Sequence, residues 1–270
     1  MKESDVIRLS GWERWHDWQA GIMEPVTTWV CDAVVTRPGS TVLDAACGTG
    51  LPALALAERL GADGRVVATD ASAVMVEAVR RKAKEAGLGN VEVRQATLAA
   101  LEFDDASFDA VTCKDGIMYV PDPVVGAREL RRVLKPGGRF AITVWDEAAR
   151  CAFFRTMFGV VSRFVGPPPD PRGPGPLRLS APGALEGVLH EAGFTGVNIE
   201  PREVVFAFDS LAMHWEVLRE MAAPVAAAEA KLSPAGLAEL QAALSEAVAP
   251  FTHEGRVRLP SVALCASGAR

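Results

Sequence analysis

One stretch of nine residues constrains the fold of this chain more than any other: Val42-Leu43-Asp44-Ala45-Ala46-Cys47-Gly48-Thr49-Gly50. Its small and apolar first residues are typical of the end of a buried strand. Gly48 and Gly50 then allow a tight turn and let a ligand approach the backbone closely. The apolar spacing over residues 51–60 predicts a helix whose first N–H groups face that ligand. The stretch therefore predicts a strand–turn–helix cradle for a nucleotide.

A second strand, predicted over residues 65–70, ends in an acid, Asp70, 20 residues after Gly50. In a βαβ unit of this kind, a carboxylate at the second strand tip accepts hydrogen bonds from both ribose hydroxyls. Asp is also a common helix N-cap, but Ser72 can cap the helix predicted over residues 72–86. We therefore predict that Asp70 binds a ribose.

Strands and helices alternate along most of the chain. Further strands are predicted over residues 91–96, 108–113, 139–145, 197–208 and 256–266, with helical segments between them. Such repeats demand a parallel sheet covered by helices on both faces, so the predicted fold class is α/β. Ligands of such sheets bind beyond the carboxyl ends of the strands. The tips expected at that edge are Asp44 to Gly50, Asp70, Thr97 with Leu98, Lys114 with Asp115, and Asp146.

The order of these elements predicts four segments: an N-terminal helical cap over residues 1–37, a sheet-containing core over 38–208, a helical lid insertion over 209–252 and a closing strand over 253–270. Ser180 is expected to cap a helix that runs to Ala192, and Ser233-Pro234 to start the last helix. Lys135-Pro136-Gly137-Gly138 is predicted as a turn. The Pro- and Gly-rich residues 166–176 are predicted to form a loop, which is either a mobile gate or a long surface loop.

Composition excludes several classes of function. A net charge of −6 and a pI near 5.4 argue against a general binder of nucleic acid or anionic membranes. No apolar run reaches the roughly 18 residues of a membrane-spanning helix, and Met1 to Asp5 lack the apolar core of a signal peptide. Five dispersed cysteines without metal-type spacing predict free thiols, no metal site and a cytoplasmic location.

Tryptophans recur every three residues near the start of the chain, at Trp12, Trp15 and Trp18. This spacing places them on one helix face, where they either pack against the core or form the wall of a ligand pocket. Six large apolar side chains are predicted to line the pocket: Trp12, Trp15, Met118, Tyr119, Phe154 and Trp215. They favour a small, largely apolar or aromatic molecule as the ligand.

Four motifs occur in a familiar order: Val-Leu-Asp-x-x-x-Gly-x-Gly, Val-Val-Ala-Thr-Asp, Phe-Asp-Ala-Val and Leu-Lys-Pro-Gly-Gly-Arg. This order resembles the class I S-adenosylmethionine-dependent methyltransferases, above all the small-molecule group with the ubiquinone and menaquinone C-methyltransferases. The resemblance covers residues 35–146. It implies a Rossmann-like sheet of seven strands, six parallel and the last antiparallel. It also implies S-adenosylmethionine as cofactor and methyl transfer to oxygen, nitrogen or carbon of a small acceptor.

The resemblance further implies cofactor contacts from residues at the strand tips. Ala46 stands where the family usually has its first glycine, and Thr97 where it often has an Asp that binds the adenine amino group. Asp70 would bind the ribose, and Lys114 would lie near the amino-acid end of the cofactor. The full set is Asp44, Ala46, Gly48, Gly50, Asp70, Ala71, Met75, Thr97, Leu98 and Lys114.

A methyl group on a sulfonium is already activated, so the protein mainly supplies alignment. A base is needed only if the acceptor must lose a proton. Candidates for this catalytic role are His16, His214 and Tyr119, with His253 and Asp115 as weaker ones.

Three rival functions remain open. Gly48 to Ala53 also fits the G-x-G-x-x-A pattern of NAD-dependent oxidoreductases, although Asp44 would repel a pyrophosphate and no Tyr-x-x-x-Lys pair is present. A non-catalytic protein that binds S-adenosylmethionine is the second rival. Methylation of nucleic acid is the third. It would predict a basic groove and an Asn/Asp-Pro-Pro-Tyr/Phe motif, where this chain has Lys114-Asp115-Gly116-Ile117.

Overall fold

The computed structural model describes residues 11–34, 37, 39–166 and 173–270. Several predictions fall outside these residues in whole or in part. They concern the acidic start of the chain, residues 1–10 and 35–36 of the helical cap, Pro38, and residues 167–172 of the proposed gate.

Eight strands and nine α-helices have bounds within the described residues. The strands are β1 (Thr41–Ala45), β2 (Arg65–Asp70), β3 (Val91–Gln95), β4 (Phe108–Lys114), β5 (Leu134–Trp145), β6 (Thr195–Phe208), β7 (Thr252–His253) and β8 (Arg256–Ala269). The helices are α1 (His16–Val34), α2 (Leu51–Leu60), α3 (Ala73–Glu85), α4 (Pro123–Val133), α5 (Ala152–Val165), α6 (Ala184–Glu191), α7 (Leu211–Met221), α8 (Ala223–Glu229) and α9 (Pro234–Ala247).

The strands form one sheet in the order β3-β2-β1-β4-β5-β8-β6, with β7 paired to β8. The neighbours from β3 to β5 run parallel, and β8 runs antiparallel to β5. This confirms the predicted α/β class and the antiparallel last strand. The short β7 is an addition that the sequence did not predict.

Apolar residues of the first βαβ unit fill the core as its sequence pattern predicts. Val42, Leu43 and Ala45 of β1 are fully buried. In α2, the buried residues Ala53, Leu56, Ala57 and Leu60 repeat at helical spacing, which turns one face of the helix toward the sheet.

Two local predictions are wrong. Ser180 caps no helix, because its hydroxyl donates to the Leu177 carbonyl and α6 begins only at Ala184, after Gly183 in the left-handed region. Lys135 to Gly138 belong to β5 instead of forming a separate turn. There the pairing with β4 shifts register between Phe108 and Ala110, so the glycines accommodate a bulge.

The described chain divides into two compact units. The helical unit contains residues 11–22, 147–166 and 203–262, and the sheet unit contains residues 23–34, 37, 39–146, 173–202 and 263–270. In the helical unit, α5 packs against α8 and α9. Residues 147–166 therefore group with the helices of the predicted lid insertion, whereas the sequence placed them in the core. The role of a lid stays a prediction.

All five cysteines lie in the described part of the chain, where they are buried and form no disulfide. Over the ranges that the structure describes, no helix has the length and apolar character needed to span a membrane, and no cluster of His, Cys, Asp and Glu could hold a metal ion.

Candidate active site

The predicted strand tips lie at one edge of the sheet unit, because β1 to β5 run parallel. At this edge the loop after β1 turns through left-handed backbone at Ala46 (φ 53°), Gly48 (φ 55°) and Gly50 (φ 92°). The Cys47 N–H donates to the Thr69 carbonyl at 2.9 Å and so fixes the loop to β2. The loop thus has the tight turn that its glycines predict, and Ala46 adopts a conformation that glycine would accept at lower cost.

Asp70 holds this loop from the end of β2. Its Oδ2 accepts from the Gly48 N–H at 2.9 Å, and its Oδ1 accepts from the Ser72 N–H at 2.8 Å. Burial raises the pKa of Asp70, while these N–H groups oppose the rise. Each carboxylate oxygen keeps a further lone pair for a ligand hydroxyl. Ser72 fills the N-cap of α3, as predicted, by accepting from the Met75 N–H at 3.4 Å.

Asp44 is a fully buried carboxyl group at the end of β1. Its Oδ1 accepts from the Thr112 hydroxyl at 2.6 Å, but its Oδ2 has no hydrogen-bond partner among the described residues. Burial raises the pKa of Asp44 to about 7, and the hydrogen bond from Thr112 and the charge of Lys114 oppose that rise. A buried carboxylate oxygen that lacks a hydrogen-bond partner, next to a glycine-containing loop, suits a ligand that supplies a hydrogen-bond donor or a positive charge.

Lys114 and Asp115 form a part-buried ion pair at the end of β4. The Lys114 ammonium donates to Asp115 Oδ2 at 3.0 Å. Asp115 Oδ1 accepts from the Thr143 hydroxyl at 2.7 Å, and the Asp115 N–H donates back to that hydroxyl at 3.1 Å. Asp115 adopts left-handed backbone (φ 55°) without being glycine. Such strain is characteristic of functional sites and is maintained by surrounding contacts.

The loop after β4 packs closely on the loop after β1. A Cβ added at Gly116 would stand 2.5 Å from the Ala46 Cβ, so only glycine fits there. Beyond it Met118 is buried, while Tyr119, a predicted pocket residue, is 50% exposed. Gly116 is thus a positioning residue that the sequence analysis did not single out.

The predicted adenine contacts follow β2 and β3. Ala71 is exposed and its carbonyl accepts from the Gln95 side chain at 2.9 Å, whereas Met75 in α3 is buried. Thr97 bridges to Ala100, and Leu98 is buried. These residues share the sheet edge with Asp70.

Thr112 and Thr143 are site residues that the sequence analysis missed. Each has apolar neighbours on both sides in its strand and forms a hydrogen bond with one of the two acids, Asp44 or Asp115. A threonine between apolar residues of a strand was the one feature of the sequence that could have indicated these two site residues. Its partner, however, lies 68 residues away for Thr112, so the sequence does not reveal the pair.

Aromatic side chains of the helical unit form a packed cluster. The rings of Phe153 and Phe206 stack at 4.2 Å between centroids, and the Trp18 ring lies 5.1 Å from Phe208. His214 is buried and meets the Phe208 ring edge-on at 4.9 Å. Trp18, the last of the regularly spaced tryptophans, therefore packs in a core.

The residues of the helical unit that are predicted to line the pocket for the methyl acceptor differ in their contacts and burial. The Trp15 indole N–H donates to Glu220 Oε2 at 2.8 Å, and Arg219 lies over the Trp215 ring. Phe154 is buried, and Trp12 is half-buried. Trp12, Trp15, Phe154 and Trp215 thus belong to the helical unit, and Met118 and Tyr119 to the sheet unit.

The three candidate histidine bases lie in the helical unit, and the candidate bases Tyr119 and Asp115 lie in the sheet unit. His16 and His214 are buried in the helical unit, while His253 in β7 is exposed. Burial lowers the pKa of His214 to about 4. Asp115 already accepts from Lys114 and Thr143.

Known proteins resemble this chain over the region just described. Residues 42–138 match the model of a methyltransferase domain. The demethylmenaquinone methyltransferase of Geobacillus kaustophilus is 35% identical over 191 residues, which are 66% of this chain and 79% of that protein. The demethylmenaquinone methyltransferase of Listeria welshimeri is 40% identical over 136 residues, 47% of this chain and 57% of that protein. The chain therefore spans little more than half the length of the Listeria relative.

The fold also matches a solved structure. The YcgJ protein from Bacillus subtilis superposes with a TM-score of 0.61 at 20% identity, over 90% of this chain and 97% of that one. At such low identity this likeness shows the fold alone. The match to the Geobacillus protein covers 79% of that protein's length, and the methyltransferase-domain match over residues 42–138 includes the loop after β1 and the acids at the sheet edge. The chain belongs to the class I S-adenosylmethionine-dependent methyltransferases.

Proposed function

We propose that the chain binds S-adenosylmethionine and transfers its methyl group to a small, largely apolar or aromatic acceptor. The observation that carries this proposal is the buried Asp44, whose Oδ2 has no hydrogen-bond partner among the described residues. Asp44 directly precedes the glycine loop, and Asp70 fixes that loop by accepting a hydrogen bond from the Gly48 N–H. A carboxylate there suits a cationic cofactor. It disfavours the pyrophosphate of NAD, which would bring like charge to a buried site.

Asp70 would bind the ribose through the lone pairs that its contacts with Gly48 and Ser72 leave free. Ala71, Met75, Thr97 and Leu98 would surround the adenine at the same edge. Gly48 would let the cofactor approach the backbone, because a Cβ built there meets nothing within 4 Å and the space in front is open.

An acceptor with an aromatic ring, such as a quinol, is supported by the names of the relatives, which are demethylmenaquinone methyltransferases. Aromatic residues are also abundant in the helical unit, where Trp15 and Trp215 are only half-buried. The residues predicted for the acceptor are Trp12, Trp15, Met118, Tyr119, Phe154 and Trp215. Five buried cysteines that form no disulfide support a reducing location such as the cytoplasm.

The bound cofactor supplies a methyl group activated on sulfur. The chain would contribute orientation, by fixing the cofactor at the loop after β1 and the acceptor opposite its methyl group, and exclusion of water. Where the acceptor must lose a proton, His16, Tyr119 and His214 remain the proposed bases. Among these, His214 has little basicity because its pKa is about 4.

Product analysis tests this function. The protein would be incubated with S-adenosylmethionine and a panel of hydroxylated naphthalenes, phenols and amines, and the products examined by mass spectrometry. We expect S-adenosylhomocysteine together with one acceptor that gains a single methyl group. If the cofactor binds and no member of a broad panel is methylated, a non-catalytic binding protein becomes the better description.

A further inference from the structure

We propose that two copies of this chain associate through the outer edge of β3. The two β3 strands would pair antiparallel about a two-fold axis at Val93, so that the sheet continues from one copy into the other. This interaction goes beyond the proposed methyl transfer and does not depend on it.

The strand β3 ends the sheet on one side. Among the described strands, β2 is the one that pairs with it. At the two ends of β3, the Asn90 carbonyl accepts from an N–H of β2 at 2.9 Å, and the Ala96 N–H donates to a carbonyl of β2 at 3.0 Å. Even-numbered residues thus direct their backbone groups to β2, so Val91, Val93 and Gln95 direct theirs outward. Such a row of outward N–H and C=O groups is a template for another strand.

The sequence of β3 is complementary to itself when it is paired antiparallel about Val93. In this register, Val93 forms a hydrogen-bonded pair with Val93 of the second copy. Glu92 of each copy then stands opposite Arg94 of the other, and opposite charges in such cross-strand pairs are stabilising. A shift of the axis by one residue would instead place Glu92 opposite Glu92, or Arg94 opposite Arg94. Charge therefore selects both the partner and the register.

Glu92 and Arg94 are already ordered on one face of β3. The Arg94 guanidinium lies 5.1 Å from the centroid of the Phe103 ring and pairs with Glu92, which also pairs with Arg65. The Arg94 and Glu92 side chains are still 48% and 30% exposed, so both are accessible to a second copy. Because these side chains are held in place beforehand, association costs them little conformational entropy.

The opposite face of β3 has room for the side chains of an incoming strand. A cavity of about 510 Å³ lies there between β3 and α3, and its apolar lining includes Leu88, Val91 and Val93. Side chains alternate between the faces of a strand, so Val91 and Val93 of the second copy would fall on this same side. Pairing of the two strands would therefore bury apolar surface of both copies.

Two basic residues on α3 limit the strength of this association. Arg80 donates to the Val93 carbonyl at 2.9 Å, and a second copy would have to share or displace that hydrogen bond. Arg80 and Lys84 line the same cavity, so pairing brings like charges closer together. Since the paired strand has only five residues, we expect a dimer that dissociates on dilution.

Sedimentation equilibrium of the full chain at about 1 to about 300 μM, the range of weak association, tests the proposal. The mean mass should rise with concentration from 28.7 kDa toward twice that value. Hydrogen exchange of residues 91–95 should slow over the same range, because their outward N–H groups become hydrogen-bonded.

Exchange of the two charges distinguishes the proposed register from other modes of association. Glu92→Arg and Arg94→Glu each create two like-charge pairs and should weaken the dimer on the order of 10- to 100-fold. The double variant Glu92→Arg/Arg94→Glu should recover most of that loss, because opposite charges again face each other. The matched control Glu191→Arg reverses an exposed acid on α6 and should associate as wild type does.

Arg80→Met should have the opposite effect and strengthen the dimer, because it removes the competitor for the Val93 carbonyl and one of the like charges. Urea unfolding of each variant shows whether it is folded before its mass is compared with that of wild type. A weaker dimer in folded Arg80→Met would contradict the proposed pairing.

Three results would overturn the inference and leave the proposed function standing. The first is wild-type protein that stays monomeric over the whole concentration range, which requires no variant to fold. The second is a dimer in which exchange of residues 91–95 does not slow, since its interface would lie elsewhere. The third is a folded double variant that associates no more tightly than the two single variants.

Discussion

At the scale of single residues, Asp44 is an acid with strongly altered acid–base chemistry. Burial raises its pKa in the folded chain from 3.8 to about 7. Between these values the folded chain retains a proton that the unfolded chain has lost. The contribution of Asp44 to stability therefore falls as the pH rises through this window, with a slope of at most about 1.4 kcal/mol per pH unit.

Asp44→Asn should remove this pH dependence. Asn does not titrate, so the stability of the variant relative to wild type should improve as the pH rises from about 4 to about 7. Urea unfolding of both proteins across this range measures the difference. Parallel pH profiles would show that Asp44 has an ordinary pKa in the folded chain.

Asp70→Ala should weaken binding of S-adenosylmethionine on the order of 10- to 100-fold, because it removes the proposed acceptor of the ribose hydroxyls and the partner of Gly48. Asp70→Asn should lose less, since it keeps one acceptor oxygen. The matched control is Asp63→Ala, in the exposed turn before β2. Unchanged affinity in Asp70→Ala would exclude the ribose contact.

His214→Ala should retain most of its turnover once an acceptor is known. With a pKa of about 4, the imidazole is a poor base near neutral pH. The variant should still lose stability, because His214 packs against Phe208 in the aromatic cluster. A loss of turnover of 100-fold or so, with wild-type cofactor affinity, would instead make His214 the base.

At the scale of elements, the turn that leads into α2 contains two glycines, Gly48 and Gly50, and they tolerate a side chain to different degrees. A Cβ at Gly50 would stand 3.1 Å from a methyl carbon of the buried Val79, at φ 92°. A Cβ at Gly48 would meet nothing within 4 Å, at φ 55°. Gly50 thus serves packing between α2 and α3, whereas Gly48 is the glycine that we propose to face the cofactor.

Gly50→Ala and Gly48→Ala should separate these two roles. Gly50→Ala should lower the free energy of unfolding by about 1–3 kcal/mol through strain and crowding. Gly48→Ala should cost less stability, about 1 kcal/mol, but should weaken cofactor binding more. Chemical unfolding and calorimetry on both variants make the comparison. The reverse order of effects would contradict the placement of the cofactor over Gly48.

Local chemistry explains which elements could be predicted. The strand tip, the two glycines and Asp70 carry their own signals in sequence, and the structure places them at one edge. The prediction that Ser180 caps a helix was wrong because a serine before an apolar segment also fits an ordinary turn. The helix α6 begins instead after Gly183, which has left-handed backbone. The bulge in β5 depends on its register with β4, a contact between elements that no local pattern records.

At the scale of the whole molecule, the alternating elements predicted the α/β sheet, because they leave few topologies, whereas the family resemblance implied its antiparallel last strand. The sequence did not predict that residues 147–166 join the residues of the lid insertion in one compact unit. That grouping follows from the packing of α5 against α8 and α9, helices more than 50 residues later in the chain. The charges around Lys114 and Asp115 were also hidden, because Thr143 reaches them from another strand.

Calorimetric titration of the purified chain with S-adenosylmethionine and, separately, with NAD is the most direct test of the central claim. A buried carboxylate at the foot of the glycine loop should select the cation over the pyrophosphate. We expect saturable binding of one S-adenosylmethionine per chain and no binding of NAD. Binding of NAD without S-adenosylmethionine, or of neither, would contradict the account.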